Sequence, residues 1–220
     1  MSQVERLLQE IQAEVSQTRA MTGRVALDAR VLEAIATVPR HEFVPDNARE
    51  HAYCNRPLSI GGGQTISQPY IVALMTDLLD PEPGDIILEV GTGSGYQAAV
   101  LSRVVRKVYS IEVLESLSRR AQEILQRLGY DNVECDVGDG YHGWPAKAPF
   151  DGILVTAAAA TIPPALVEQL GPGGRLVIPV GEPHSHQELM VVAKDAAGAT
   201  AVTKALDVAF VPLTRAAPRD

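Results

Sequence analysis

Cysteine is scarce in this chain: two residues, Cys54 and Cys135, in 220. They lie far apart and match no paired-ligand spacing. A disulfide framework and a cysteine-ligated zinc site are therefore excluded, and two reduced thiols in a reducing compartment are expected. No apolar run is long enough to span a bilayer. The first ten residues carry Glu5 and Glu10 and no apolar block, so a signal peptide is not expected either. Positive charge is in deficit, with 19 Lys and Arg against 27 Asp and Glu and a formal net charge of -8. An acidic chain gains no counterion-release energy on nucleic acid, and its sign disfavours anionic membrane surfaces. No long basic cluster overrides the total. Internal repeats and low-complexity tracts are absent. These absences lead us to expect a cytoplasmic protein without a nucleic-acid or membrane partner; a monomer is expected, though nothing in the sequence specifies the oligomeric state.

What is present is a rhythm. The length suits one structural domain, since a chain of roughly 200 residues buries about 70% of its unfolded surface. Val4, Leu7, Leu8, Ile11 and Val15 recur at helical spacing and predict an amphipathic helix ending before Gly23. Val31, Leu32, Ile35 and Val38 predict a second, ended by Pro39. Pro45 to Gly63 reads as irregular, because Pro57 and Gly61-Gly62-Gly63 suit no element interior. A helix starts at Pro69 and closes before Pro81. From Asp85 the pattern becomes strand, helix, strand. Predicted strands are Ile86–Val90, Val108–Ile111, Asn132–Cys135, Ile153–Val155, Arg175–Val180, Leu189–Ala193 and roughly Ala201–Val211. Helices fall near Gly95–Val104, Leu114–Leu128 and Pro163–Leu170. Short apolar strands alternating with helices indicate an α/β fold: a mostly parallel seven-stranded sheet with helices on both faces. Residues 1–80 are read as a helical extension on the ligand-binding edge, and residues 81–220 as the core.

The strongest local feature is Glu89-Val90-Gly91-Thr92-Gly93-Ser94-Gly95-Tyr96, where a strand turns into a helix. Glycines allow the tight turn and let a ligand approach the main chain, and the helix start adds unpaired N–H groups. The dinucleotide fingerprint needs glycine at position 96, where Tyr96 stands, so NAD is disfavoured. The spacing G-x-G-x-G after an acidic strand end resembles the first motif of Rossmann-like methyltransferases, whose cofactor, adenosylmethionine, carries no phosphate. Glu112 ends the second core strand, 21 residues after Gly91, where a carboxylate can accept hydrogen bonds from ribose hydroxyls. Gly138-Asp139-Gly140 follows the third, and in this fold an acidic side chain there commonly meets the adenine amino group. The expected cofactor-binding residues are Glu89, Gly91, Thr92, Gly93, Ser94, Gly95, Glu112, Asp139 and Gly140.

Gly63-Gln64-Thr65-Ile66-Ser67-Gln68-Pro69-Tyr70 places hydroxyls between a glycine run and a helix-starting proline. On its own, Ser67 reads as a helix cap. Together with Val38 to Pro45, Ala52-Tyr53, Leu88 to Gln97, Pro149-Phe150-Asp151, Val155 to Ala158, Gly173-Gly174-Arg175 and Phe210 to Leu213, this segment resembles the protein-L-isoaspartate O-methyltransferases. The resemblance runs from Arg30 to Leu213. It departs slightly at Ala159-Ala160-Thr161, which puts the shape of that loop in question. It implies a Rossmann-like methyltransferase fold and S-adenosyl-L-methionine as cofactor, with S-adenosyl-L-homocysteine as product. It implies isoaspartyl-containing proteins and peptides as substrates. It makes Ser67 the catalytic serine, Thr65, Ile66 and Ser67 the substrate-binding residues, and Thr214 a residue reaching the cofactor carboxylate.

An isoaspartyl α-carboxylate has a pKa near 4 and is already ionised at neutral pH, so no general base is needed. Ser67 is then expected to orient rather than attack, since a nucleophilic serine needs a base and a partner for it. The methyl ester would close to a succinimide unaided, beginning repair. No metal is expected; His184-x-His186 reads as a solvent-exposed loop. Two other readings remain: a peptide-tailoring enzyme that methylates ordinary aspartate to form aspartimide, and a non-catalytic adenosylmethionine- or nucleotide-binding module.

Overall fold

The structure is a computed structural model that describes residues 1–183 and 185–215. Helix α1, Gln3–Thr22, starts on a capping box: the Ser2 hydroxyl accepts from Glu5 N–H, and the Glu5 carboxylate accepts from Ser2 N–H. Each such cap contributes about 1 kcal/mol. The helix buries Leu7, Ile11 and Val15 and closes on Gly23 in the left-handed region. Helix α2, Ala29–Thr37, is capped by Asp28. Two 3-10 turns follow, Arg40–Phe43 and Asp46–His51. Strands β1, Leu58–Gly61, and β2, Gln64–Ile66, then form a small antiparallel hairpin. Helix α3, Pro69–Leu79, completes the N-terminal segment.

The core then runs β3 Ile86–Val90, α4 Tyr96–Ser102, β4 Lys107–Glu112, α5 Glu115–Arg127 and β5 Val133–Val137. It continues through β6 Phe150–Val155, α6 Pro164–Gln169, β7 Leu170–Val180, β8 Gln187–Lys194 and β9 Thr200–Val208. One seven-stranded sheet has the order β5-β4-β3-β6-β7-β8-β9. The first five strands in that order are parallel, and β8 and β9 add antiparallel pairs. After β3 the chain moves out through β4 to β5, then returns to pair β6 with the other side of β3. That reversal leaves a crevice at the carboxyl ends of β3 and β6, the usual ligand site of such sheets.

Alternate strand residues enter two apolar clusters, one on each face. Ile87, Leu154 and Val177 join Leu7, Ile11, Ile35 and Leu74 on one side; Leu88, Ile153 and Leu176 join Phe150 and Leu166 on the other. Each fully buried Leu or Ile contributes roughly 1.5–3 kcal/mol before entropy is counted. The N-terminal helices thus share their packing with the sheet, and α1 lies against α3 and β9.

The fold is the Rossmann-like arrangement expected, with local differences. The stretch read as irregular, Pro45 to Gly63, contains β1 and the turn that leads into β2. Gly61, Gly62 and Gly63 all have positive φ and make that turn, and Ile60 and Ile66 point into the core. Glycines that break an element interior also make a tight connection. Strand β9 stops at Val208, and residues 209–214 leave the sheet to cross its carboxyl edge. There Leu213 N–H donates to Ala158 C=O at 2.7 Å, and Ala158 N–H donates to Val211 C=O at 2.8 Å. His184 lies outside the described residues. His186, just before β8, lies close to Glu188 of β8 and Asp207 of β9, but Lys204 pairs with both carboxylates.

Candidate active site

The glycine turn between β3 and α4 is held by buried side chains beneath it. Gly91, Gly93 and Gly95 have φ of 97°, 52° and 87°. A Cβ on Gly91 would collide with Thr156 Oγ1, whose hydroxyl donates to the Gly91 carbonyl at 2.6 Å. Thr92 Oγ1 meets Ser110 Oγ at 2.6 Å, and Ser110 donates to Glu89 at 2.5 Å. Glu89 is fully buried in the sheet behind the turn. Burial pushes its carboxyl up to about 8; the Ser110 hydrogen bond opposes this and the Glu112 charge adds to it. Glu89 thus supports the turn from below and does not line the cleft.

Glu112 does line the cleft. Its Oε2 accepts from Gly93 N–H at 2.9 Å, and its Oε1 accepts from Leu114 N–H at 3.0 Å. One carboxylate therefore shapes the glycine turn and the start of α5, and each oxygen keeps a lone pair for a ligand hydroxyl. Gly140 also lines the cleft, where a Cβ would strike Val90. Asp139 is half-buried and caps the short turn after β5 by accepting from Tyr141 N–H at 2.9 Å; it is not on the cleft wall. Gly95 is buried behind the turn, against Ala121 and Leu125 of α5. Thr92, Gly93 and Ser94 face the cleft, as does Thr214 on the crossing segment.

On the opposite wall stand Thr65, Ile66 and Ser67. Ile66 is buried, Ser67 half-buried and Thr65 exposed. The helix-cap expectation for Ser67 does not hold: Gln68 occupies the cap position of α3, and no side chain caps that helix. Proline at its first turn has no N–H to satisfy, which removes much of the need. Among the described residues the Ser67 hydroxyl has no hydrogen-bond partner. Thr65 and Ser67 also line a second, open groove, formed by Glu14 and Thr18 of α1, Tyr70 of α3 and residues 206–210. Cleft and groove therefore meet at these two hydroxyl side chains.

Sequence reasoning missed Thr156, Ala157 and residues 211–213 as parts of the cleft wall. Thr156 follows the last residue of β6, the strand beside β3, and the strand-end rule alone points to it. For the crossing segment the one signal was the family resemblance of Phe210 to Leu213, which assigned those residues no role. Glu112 is the one acidic side chain on the cleft wall, and no lysine or arginine lines it among the described residues. A pyrophosphate would meet a carboxylate with no compensating cation. A sulfonium nucleoside with free ribose hydroxyls meets acceptors and backbone amides, so the residues present fit adenosylmethionine.

Comparisons with known proteins point to one family. The family model described as protein-L-isoaspartate(D-aspartate) O-methyltransferase matches residues 12–217. A protein-L-isoaspartate O-methyltransferase 2 from Nitrosococcus oceani is 61% identical over 208 residues, covering 94% of each chain. A relative of the same name from Syntrophobacter fumaroxidans is 60% identical over 209 residues, covering 95% of this chain and 85% of its own. Among solved structures, a protein-L-isoaspartate O-methyltransferase superposes with a TM-score of 0.82 at 27% identity and 95% coverage of this chain, which spans 65% of that protein's length. A Plasmodium falciparum protein described as a member of the same enzyme class was solved in complex with S-adenosyl-L-homocysteine. It superposes with a TM-score of 0.75 at 25% identity, covering 93% of this chain and 97% of its own.

Proposed function

The chain belongs to the protein-L-isoaspartate(D-aspartate) O-methyltransferase family, and from that premise we propose that it transfers a methyl group from S-adenosyl-L-methionine to the free α-carboxylate of L-isoaspartyl residues in damaged proteins and peptides. The observation that carries this reading is the junction at Thr65 and Ser67, which line both the cleft and the open groove. A small cofactor and a polypeptide can then reach one point from different sides.

When bound, the cofactor supplies an electrophilic methyl on a sulfonium. The residues proposed to hold it are the backbone of Gly91 to Ser94, the Glu112 carboxylate, Gly140 and Thr214, with Glu89 and Gly95 supporting the turn and Asp139 ordering the loop before Gly140. Thr65, Ile66 and Ser67 receive the substrate carboxylate. The unpaired Ser67 hydroxyl donates a hydrogen bond to it and fixes its direction. No proton need be removed, because the carboxylate is ionised at neutral pH. Holding two reactants in line contributes about 7–11 kcal/mol in favourable cases. The groove admits an extended chain, and the ester then closes to a succinimide away from the enzyme. We read residues 1–80 as the substrate-side extension and 81–220 as the cofactor core of one structural domain. We also take the protein to be a cytoplasmic monomer; its net charge of -8 supports a peptide rather than a nucleic-acid partner.

Labelled-methyl transfer to paired peptides tests the proposal. The isoaspartyl peptide is expected to be methylated at least about a hundredfold faster than its aspartyl twin, since misplacing the reacting group by one methylene costs that much. Equal rates would favour aspartate tailoring. Cofactor binding without transfer to either peptide would favour a binding module.

A further inference from the structure

Arg40 has no part in the chemistry above, yet its side chain is completely buried. It opens the 3-10 turn that follows Pro39. Its Nε donates to the Ala52 carbonyl at 2.8 Å, and its Nη2 donates to the carbonyl of Ser67 itself at 2.8 Å. The guanidinium carbon lies 4.7 Å from the centroid of the Tyr96 ring. Tyr96 is the first residue of α4, directly after the glycine turn. Among the described residues Arg40 forms no ion pair with a carboxylate, and Nη1 has no hydrogen-bond partner.

That arrangement is expensive for stability alone. A buried cation without a counter-charge pays its desolvation cost, whereas a well-packed apolar side chain of similar volume would fill the same space without it. Burial pulls the Arg40 pKa down to about 10, which still leaves it charged at neutral pH. The guanidinium does what an apolar residue cannot. Its planar fork spans two carbonyls at fixed angles and lies over an aromatic ring, and a lysine point charge reproduces neither property. One rigid group therefore touches the main chain of Ser67 and the residue that starts the cofactor helix.

We propose that Arg40 is a positioning residue for methyl transfer, fixing the Ser67 main chain against the start of α4 so that the serine hydroxyl and the cofactor turn keep one spacing. The proposal rests on the reading that Ser67 orients the substrate carboxylate. Without the fork, the Ser67 segment is free to shift relative to the turn, and the hydroxyl no longer points along one line.

The test is a double-mutant cycle with Arg40→Lys, Arg40→Met and Ser67→Ala, read on the isoaspartyl peptide and by calorimetric binding of adenosylhomocysteine. Arg40→Lys is expected to fold and to bind adenosylhomocysteine within about threefold of wild type, while kcat per folded molecule falls roughly ten- to a hundredfold. Adding Ser67→Ala to Arg40→Lys should lower kcat by less than about threefold more, because residues acting as a unit are not additive. Arg40→Met should show the same kcat pattern with no rescue. A scaffold role predicts lower Tm with unchanged kcat per folded molecule, and that result overturns the proposal. So does full additivity with Ser67→Ala, or failure of both Arg40 variants to fold. If Ser67→Ala alone is silent, the Ser67 reading falls and this proposal with it. If Ser67→Ala is impaired while Arg40→Lys is silent, only the Arg40 role falls.

Discussion

The two walls of the site are built in opposite ways. The cofactor wall is mostly main chain: a glycine turn at one strand end, completed by Glu112 at the end of the next strand. Its support lies in neighbouring strands of the sheet, through Ser110, Glu89 and Thr156. The substrate wall is mostly side chain, and its supports come from distant parts of the sequence. Glu14 of α1 accepts from Asn55 and Gln68, the Asn55 side-chain oxygen accepts from Tyr70 N–H, and Arg40 reaches the Ser67 carbonyl. A site made of backbone is sensitive to added atoms. A site made of side chains is sensitive to lost ones.

The contrast is broken most readily at Gly91. Gly91→Ala places a Cβ into Thr156 Oγ1 at a φ of 97°. Strain and overpacking together cost about 2–6 kcal/mol of stability, which the turn relieves by shifting its backbone amides. Losing one or two hydrogen bonds to the ligand should weaken adenosylhomocysteine binding by calorimetry roughly ten- to a hundredfold. Wild-type affinity in this variant would mean that the turn does not hold the cofactor through its backbone.

The next effect belongs to the support of the same wall. Glu89 has a folded-state pKa raised to about 8 from an ordinary 4.5. Below pH 4.5 the carboxyl is protonated in both folded and unfolded chains, and its contribution to stability is fully present. As pH rises towards 8 the unfolded chain ionises first, so stability is progressively lost across that window. Glu89→Gln should flatten the fall of Tm between pH 5 and 8, a difference on the order of 3 kcal/mol in a buried group. The same pH slope in both proteins would show that Glu89 is ionised in the folded state.

The smallest of the three effects sharpens the substrate side. Ser67→Ala adds no atoms and removes one donor. It should lower turnover by roughly ten- to a hundredfold, the loss of one hydrogen bond to a charged group, and leave adenosylhomocysteine affinity unchanged. Its Tm should stay near wild type, since Ser67 does not cap α3. Wild-type turnover would remove Ser67 from the chemistry.

Much of the cofactor half was legible in the sequence because its parts are local. Alternating strands and helices announced the sheet, and the turn from Gly91 to Gly95 sits where a buried strand meets a helix. The hairpin at Leu58–Ile66 was not legible from periodicity: four- and three-residue strands are too short to show alternation, and the glycine run that joins them reads equally as a breaker. Residues 211–213 matched the family segment but show no periodicity that would assign them a place, and two main-chain hydrogen bonds to Ala158 draw them across the sheet edge into the cleft wall.

The sequence by itself determined the fold class, the place of the cofactor turn and the family, because periodicity, turn glycines and a specific segment around Ser67 are properties of contiguous residues. Only the tertiary structure decided that Glu89 lies beneath the turn rather than in the cleft, that Ser67 is an unpaired hydroxyl rather than a helix cap, and that α1 forms one wall of the groove. It alone brought the Arg40 guanidinium to the Ser67 carbonyl, 27 residues further along the chain. Those facts depend on which side chains the sheet and its packed helices force together, and no local spacing in the chain encodes that.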